Sequence, residues 1–264
     1  MKIFYDKEAK QLVYIDRAAT TDFWDSQWSV ETKNSLSNLY KKDTYVSTIT
    51  KKYLPSNSVI VEGGCGRGNH VHALKQNRYK VIGIDSAPKT IRLLQKYASD
   101  LDIRLDDVRK TKLDSGTVDG YWSLGVIEHF YDGFDDIADD IARILRVEGY
   151  FFVTFPAMNI LRRVKAKFNI YPEYTQENKK SFYQYALNPN KVIHSFSERN
   201  FELVKFTRNN GFKGLKDEAP VCLQKYLQTI YNSNNLICKI IQLIIDKLLS
   251  FCCGHSALII FQKK

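Results

Sequence analysis

Hydrophobic positions along the chain follow two rhythms, and the change from one to the other divides the molecule. Between residues 58 and 155, short apolar runs alternate with stretches of helical period. Ser58–Val61 reads as a strand that ends in Glu62, and Gly63–Gly68 as a glycine-rich turn that leads into a helix at His70–Gln76. Val81–Ile84 is a second strand, ending in Asp85. Ser86-Ala-Pro88 then supplies an N-cap and a first-turn proline to a helix with Ile91, Leu94 and Tyr97 on one face. Leu101–Leu105 and Val118–Leu124 are further strands, Ile137–Leu145 a helix, and Tyr150–Phe155 a fifth strand. Strands alternating with helices imply an α/β fold with a doubly wound, mainly parallel sheet.

The flanking segments are less regular. Residues 2–15 read as a hairpin with Ile3, Phe4 and Tyr5 opposite Leu12, Val13 and Tyr14. Trp24 and Trp28 are four apart and share a face if their segment is helical. A longer helix is expected over Leu36–Tyr53, stopped by Pro55. Ile160–Lys180 is basic and mixed, and a helix starts at Asn188-Pro189 and runs to about Arg199. Phe201–Thr207 is a sixth strand, residues 215–253 are helical, and Ser256–Gln262 is a seventh strand. The chain thus divides into an N-terminal hairpin with lid helices (1–55), a ligand-binding core (56–157), and insertions for acceptor recognition with the last sheet strands (158–264).

In an open α/β sheet, ligands bind beyond the carboxyl ends of the strands. Glu62, Asp85, Asp107 and the segment Ser123–His129 all follow strands, which places them along one crevice. Gly64, Gly66 and Gly68 allow a tight turn that a ligand can approach, and the helix that follows offers free N–H groups. Asp85 is placed to accept both hydroxyls of a ribose. A nicotinamide-binding domain would need G-x-G-x-x-G, whereas this turn reads G-x-G-x-G behind a carboxylate.

From Val59 to Phe155 the sequence resembles the class I S-adenosylmethionine-dependent methyltransferases. Val59-Ile-Val-Glu-Gly-Gly-Cys-Gly-Arg-Gly68 is similar to their first motif, with Glu62 in place of the commoner Asp. Gly83-Ile-Asp85-Ser86 resembles the ribose-binding motif, and Asp106-Asp107-Val108 the adenine-binding region; Asp107 lies twelve residues before Asp119, as the adenine carboxylate does in the family. Tyr121–Phe130 resembles the fourth strand and its exit in the small-molecule branch, where Leu124 and Gly125 would flank the methionine part of the cofactor. The resemblance implies a seven-stranded Rossmann-like fold and S-adenosylmethionine as cofactor, with no metal. The acceptor would be a small molecule, phosphorylated or lipid-linked in some readings. Asp119 is read as a strand-end cap.

His129 follows the fourth strand on the crevice side and is the candidate general base; a hydrogen-bonded structural role is the plain alternative. Glu128 beside it lacks the distant partners that a metal site needs. For the acceptor, the candidates are Trp24 and Trp28 as a lid, Asn159 at the exit of the fifth strand, and Arg162 and Arg163 as phosphate ligands.

Charge sharpens the division. Residues 1–150 carry 22 basic and 22 acidic side chains, and residues 151–264 carry 17 basic and 7 acidic, so the whole net charge of +10 lies in the second part. That asymmetry suits an anionic partner. An amino-methylating nucleic-acid enzyme is disfavoured, because Ser123-Leu-Gly-Val stands where that class carries Asp/Asn-Pro-Pro-aromatic; RNA methylation by another chemistry is the alternative reading. A non-catalytic subunit is disfavoured by the intact glycine turn and Asp85. The five cysteines show no Cys-x-x-Cys pair, and the N-terminus shows no signal-length apolar run, so a cytoplasmic protein is expected. Leu236–Cys253 is the most apolar stretch, its polar side chains confined to an arc of about 140°. Burial, over the acceptor site or in a dimer, is the commoner explanation for such a helix; residence in a membrane surface is the other.

Overall fold

The amino-terminal hairpin forms as its apolar residues predict: β1 (Lys2–Asp6) runs antiparallel to β2 (Gln11–Ile15), with Phe4 opposite Val13 and Tyr5 opposite Leu12. The computed structural model describes all residues except 29–35, 37, 39 and 176–179. β2 also pairs with a strand the sequence did not reveal, β8 (Phe182–Ala186), which makes a small three-stranded sheet.

The main sheet has seven strands in the order β5-β4-β3-β6-β7-β10-β9. They are β3 (Val59–Gly63), β4 (Lys80–Asp85), β5 (Asp102–Leu105), β6 (Val118–Leu124), β7 (Leu145–Pro156), β9 (Phe201–Asn209) and β10 (Ser256–Lys263). β3 to β7 are mutually parallel, and β10 lies antiparallel between β7 and β9. Strand β3 starts the winding in both directions, which puts the switch point, and therefore the crevice, at its carboxyl end.

Period-two alternation assigns each strand residue to one face. Val61, Tyr121, Phe151 and Val153 point to one side, against α5 (Asp135–Ile144) and α7 (Pro189–Ser197). Ile60, Trp122 and Phe152 point to the other, against α2 (Tyr45–Thr50) and α3 (Asn69–Gln76). Trp122 is fully buried and stacks on Phe152 at 4.5 Å; its indole N–H donates to Thr50 Oγ1 at 2.9 Å, so its one polar atom is satisfied. Each such side chain contributes about 1.5–3 kcal/mol by leaving water.

Three expectations about local structure are corrected. The helix expected over Leu36–Tyr53 is not continuous: Leu36 is helical, residues 37 and 39 lie outside the described residues, and α2 starts afresh at Tyr45, where Thr44 and Ser47 form a reciprocal capping box. Ser86 does not cap α4 (Pro88–Tyr97); Ala87 holds the cap position without a side-chain bond. The cap comes from a distant acid. Asp25, on α1 (Thr21–Gln27), accepts from Thr90 N at 2.9 Å, Thr90 Oγ1 at 3.0 Å and Lys89 N at 3.3 Å. Lastly, the helical run over 215–253 is divided among α8 (Gly211–Glu218), α9 (Val221–Asn232) and α10 (Leu236–Cys253). Pro220 separates the first two, and Asn235 caps the third.

The burial expected for α10 does not hold within this chain. Only Cys253 of its residues is buried, and most of its leucines and isoleucines are exposed.

Candidate active site

The glycine turn owes its shape to residues that other side chains cannot replace. Gly64, Gly66 and Gly68 have φ of +76°, +50° and +71°. A Cβ on Gly64 would lie 2.4 Å from Val126, and one on Gly68 would lie 2.8 Å from Ile103. Asp85 then fixes the turn. Its Oδ2 accepts from Gly66 N at 2.8 Å, and its Oδ1 from Ala87 N at 2.9 Å. Burial pushes the Asp85 carboxyl up, against the pull of those N–H groups.

A cavity of about 610 Å³ opens beside this turn, within the usual range for a small-molecule site. Gly64 (β3 exit), Asp85 and Ser86 (β4 exit), Asp107 and Val108 (β5 exit), and Leu124, Gly125 and His129 (β6 exit) all line it. Trp24 and Trp28 close one side, stacked on each other at 6.0 Å. The crevice therefore gathers residues from four strand ends, as their order in the sequence implies. Glu62, Gly66 and Gly68 lie behind the lining. Glu62 is buried with Oε2 unpartnered among the described residues; burial and then Asp85 hold its carboxyl well above the ordinary value.

The two carboxylates after β5 are used differently. Asp106 caps local backbone, accepting from Asp107 N and Lys112 N. Asp107 bonds Arg109, which lowers its pKa, and its exposed edge faces the cavity. Asp119 accepts from Val59 N at 2.6 Å and pairs with Arg146, so it is a strand-end cap as expected.

His129 ends a 3-10 turn, Ile127–His129. Its Nδ1 lies 2.8 Å from the Tyr183 carbonyl oxygen on β8. A carbonyl only accepts, so Nδ1 carries the proton and Nε2 is left as the acceptor nitrogen. Burial lowers its pKa, partly offset by that hydrogen bond, so the imidazole is neutral near pH 7. Trp24 packs edge-on to the ring at 4.8 Å, and Tyr183 at 5.1 Å. Glu128, next in chain, is buried with Oε2 unpartnered among the described residues, and burial raises its carboxyl to about 8.

The acceptor residues expected after β7 are corrected. Asn159 is fully buried; its Oδ1 caps α6 (Ile160–Lys167) by accepting from Arg162 N, and its Nδ2 donates to the Gly254 carbonyl. Arg162 is also fully buried and pairs with Glu218 at 2.9 Å. Burial would raise the Glu218 carboxyl, but Arg162, Lys165 and Tyr171 outweigh it and hold it low. Both Asn159 and Arg162 are committed to joining α6 to α8 and β10. Arg163 is exposed, beside Asn188, and is not part of the lining.

Three contributors escape sequence reasoning. Asp25 ties α1 to α4, and Arg67 ties α1 to the glycine turn by donating to the Gln27 carbonyl at 2.9 Å and the Trp28 carbonyl at 3.3 Å. Tyr183 orients His129 from a distant strand. Among the described residues the lining holds six aspartates, at 85, 106, 107, 132, 135 and 136, and one basic side chain, Arg109. Two lining carboxylates near a glycine turn suit the hydroxyls and amine of a nucleoside, and the acid-rich wall suits a cation held beside it.

Residues 61–153 match a family described as methyltransferase domain. A stretch of 97 residues is 29% identical to a probable S-adenosylmethionine-dependent methyltransferase of Mycolicibacterium smegmatis; it spans 37% of this chain and 37% of that relative. Among solved structures, the geranyl diphosphate C-methyltransferase of Streptomyces coelicolor superposes with a TM-score of 0.55 at 13% identity, over 94% of this chain and all of that one. A SAM-dependent methyltransferase of Methanosarcina mazei gives 0.57 at 15% identity, over 84% and 98%. At these identities the structural likeness is one of fold.

Proposed function

We propose that this chain is a class I S-adenosylmethionine-dependent methyltransferase and transfers a methyl group from that cofactor to a hydroxyl or amine of a small molecule. The observation that carries the proposal is the convergence of Gly64, Asp85, Asp107, Leu124 and His129 on one cavity. Asp85 would hold the ribose hydroxyls, Asp107 the adenosine end, and Leu124 with Gly125 the methionine end. When bound, the cofactor supplies a methyl group already activated by its sulfonium. The chain's task is then to align the acceptor, exclude water and take up a proton. Trp24 and Trp28 wall off the cavity. His129, protonated at Nδ1 and open at Nε2, is disposed to accept the acceptor's proton at Nε2.

The charge of the lining bears on the acceptor. Arg109 pairs with Asp107 and Arg199 with Asp135, and the lining still holds more carboxylates than cations, so a phosphate close to the reacting atom would meet net repulsion. Arg162, the buried candidate for phosphate binding, is already paired with Glu218. A neutral or cationic reacting group therefore fits better, such as a sugar hydroxyl, an amine, or the uncharged part of a lipid-linked molecule.

The test is to incubate the full chain with methyl-labelled cofactor and fractionated cell extract. Label is expected in small molecules, aqueous or lipid. Label confined to protein or nucleic acid, or no label in any fraction, would contradict the proposal.

A further inference from the structure

Helix α10 is turned inside out. Its polar residues Gln242, Asp246 and Ser250, spaced four apart, face the protein. Gln242 Nε2 donates to the Ile230 carbonyl at 2.7 Å, Asp246 accepts from Phe212 N at 2.7 Å, and Ser250 accepts from Gly211 N at 3.1 Å. The last two bonds satisfy free N–H groups at the start of α8. Gly211 and Gly214 let the helices approach so closely that a Cβ on either would strike the α10 backbone. The apolar side therefore faces outward: Leu236, Leu243, Leu248 and Phe251 are each 67–73% exposed. A helix that spends its polar stripe on internal contacts and leaves its apolar stripe in water has something else to cover it.

A neighbouring helix adds to the exposed apolar surface. α6, packed against α10, exposes Ile160, Val164 and Phe168 at four-residue spacing. The charged side chains that border this surface are basic: Lys247 is exposed on α10, Arg163 and Lys167 on α6, and the Arg208 guanidinium lies 5.9 Å from the Phe251 ring. Asp246 is the only acid between residues 219 and 253, and it is turned inward.

We infer that α10 and the outer side of α6 dock this protein onto an anionic lipid surface, α10 lying in the plane of the headgroups. No helix among the described residues is long and apolar enough to cross a membrane, and the 18 residues of α10 make a rod about 27 Å long. Outward leucines and isoleucines enter the acyl boundary, and the surrounding lysines and arginines meet lipid phosphates. Charge decides against a second copy as the occupant. A two-fold pairing of this face would set Lys247, Arg163 and Lys167 among their own duplicates, with no outward acid to compensate.

The experiment is co-sedimentation of the full chain at low salt with vesicles of phosphatidylcholine alone, or with 30% phosphatidylglycerol added (about a third of the lipid, enough for a strongly negative surface). Binding is expected to the anionic vesicles, falling with salt. Leu243→Asp with Leu248→Asp should abolish it. Lys167→Gln and Lys247→Gln should each weaken it about fivefold. These side chains are exposed, so an unchanged melting temperature certifies the fold of each variant. Three results would overturn the inference: no sedimentation with anionic vesicles, sedimentation that the aspartate variants leave intact, or a dimer in solution that the same variants split while no vesicle binding occurs.

Discussion

The Nδ1 of His129 meets the Tyr183 carbonyl oxygen at 2.8 Å, and this contact between a core exit and a strand of the small sheet sets which ring nitrogen can act. If Nε2 takes a proton during transfer, His129→Ala should lower turnover by roughly 10²–10⁴-fold. Affinity for the cofactor should stay within about twofold, because other lining residues hold it. Steady-state kinetics beside calorimetry separates the two, and unchanged turnover would make the histidine structural.

The same ring predicts a pH profile. Burial holds the His129 pKa below 6.5, so the neutral, competent form persists into mildly acidic solution. The acid limb of kcat/KM should have its midpoint below 6.5. A midpoint above 7 would assign the limb to another group.

Glu128 predicts a stability profile of the opposite kind. Its folded pKa is about 8 against an ordinary 4.5, so across that window the folded chain keeps a proton that the unfolded chain has released. Stability from this group therefore falls as pH rises from 4.5 to 8. Glu128→Gln should remove the fall, and melting temperatures of variant and parent should diverge most near pH 8, with the variant higher.

How much of this was legible beforehand depends on sequence distance. Gly64, Asp85, Asp107 and Leu124 are each fixed by a strand and the turn directly after it, so local pattern and strand order were enough to place them along one cavity. Asp25, Arg67 and Tyr183 act through contacts that join separate elements: Asp25 caps a helix that starts more than sixty residues later, and Tyr183 sits on β8, whose pairing with β2 no local rhythm announces. Arg162 failed for a related reason. A basic run at a strand exit looks like a phosphate site until Glu218, from a distant helix, is seen to take its charge. α10 failed because amphipathicity gives the existence of two faces but not which one turns inward.

Two substitutions test those long-range contacts. Asp25→Ala removes the cap of α4 and should cost about 0.5–2 kcal/mol. It should also raise KM for the acceptor, since α1 carries Trp24 and ends at Trp28. Thermal denaturation and kinetics check each part.

Arg162→Ala leaves the buried Glu218 carboxylate without its main partner and should destabilise by about 3–5 kcal/mol. Pairing Arg162→Met with Glu218→Gln should recover part of the loss. Recovery accompanied by normal KM would show that Arg162 serves the fold; a KM defect surviving in a stable double variant would return it to the acceptor site.

If the crevice at the ends of β3 to β6 holds S-adenosylmethionine, calorimetric titration of the full chain with that compound should give one site per chain, with affinity lost by at least about tenfold in Asp85→Ala. Absence of binding in the parent chain, or equal affinity in Asp85→Ala, would contradict it.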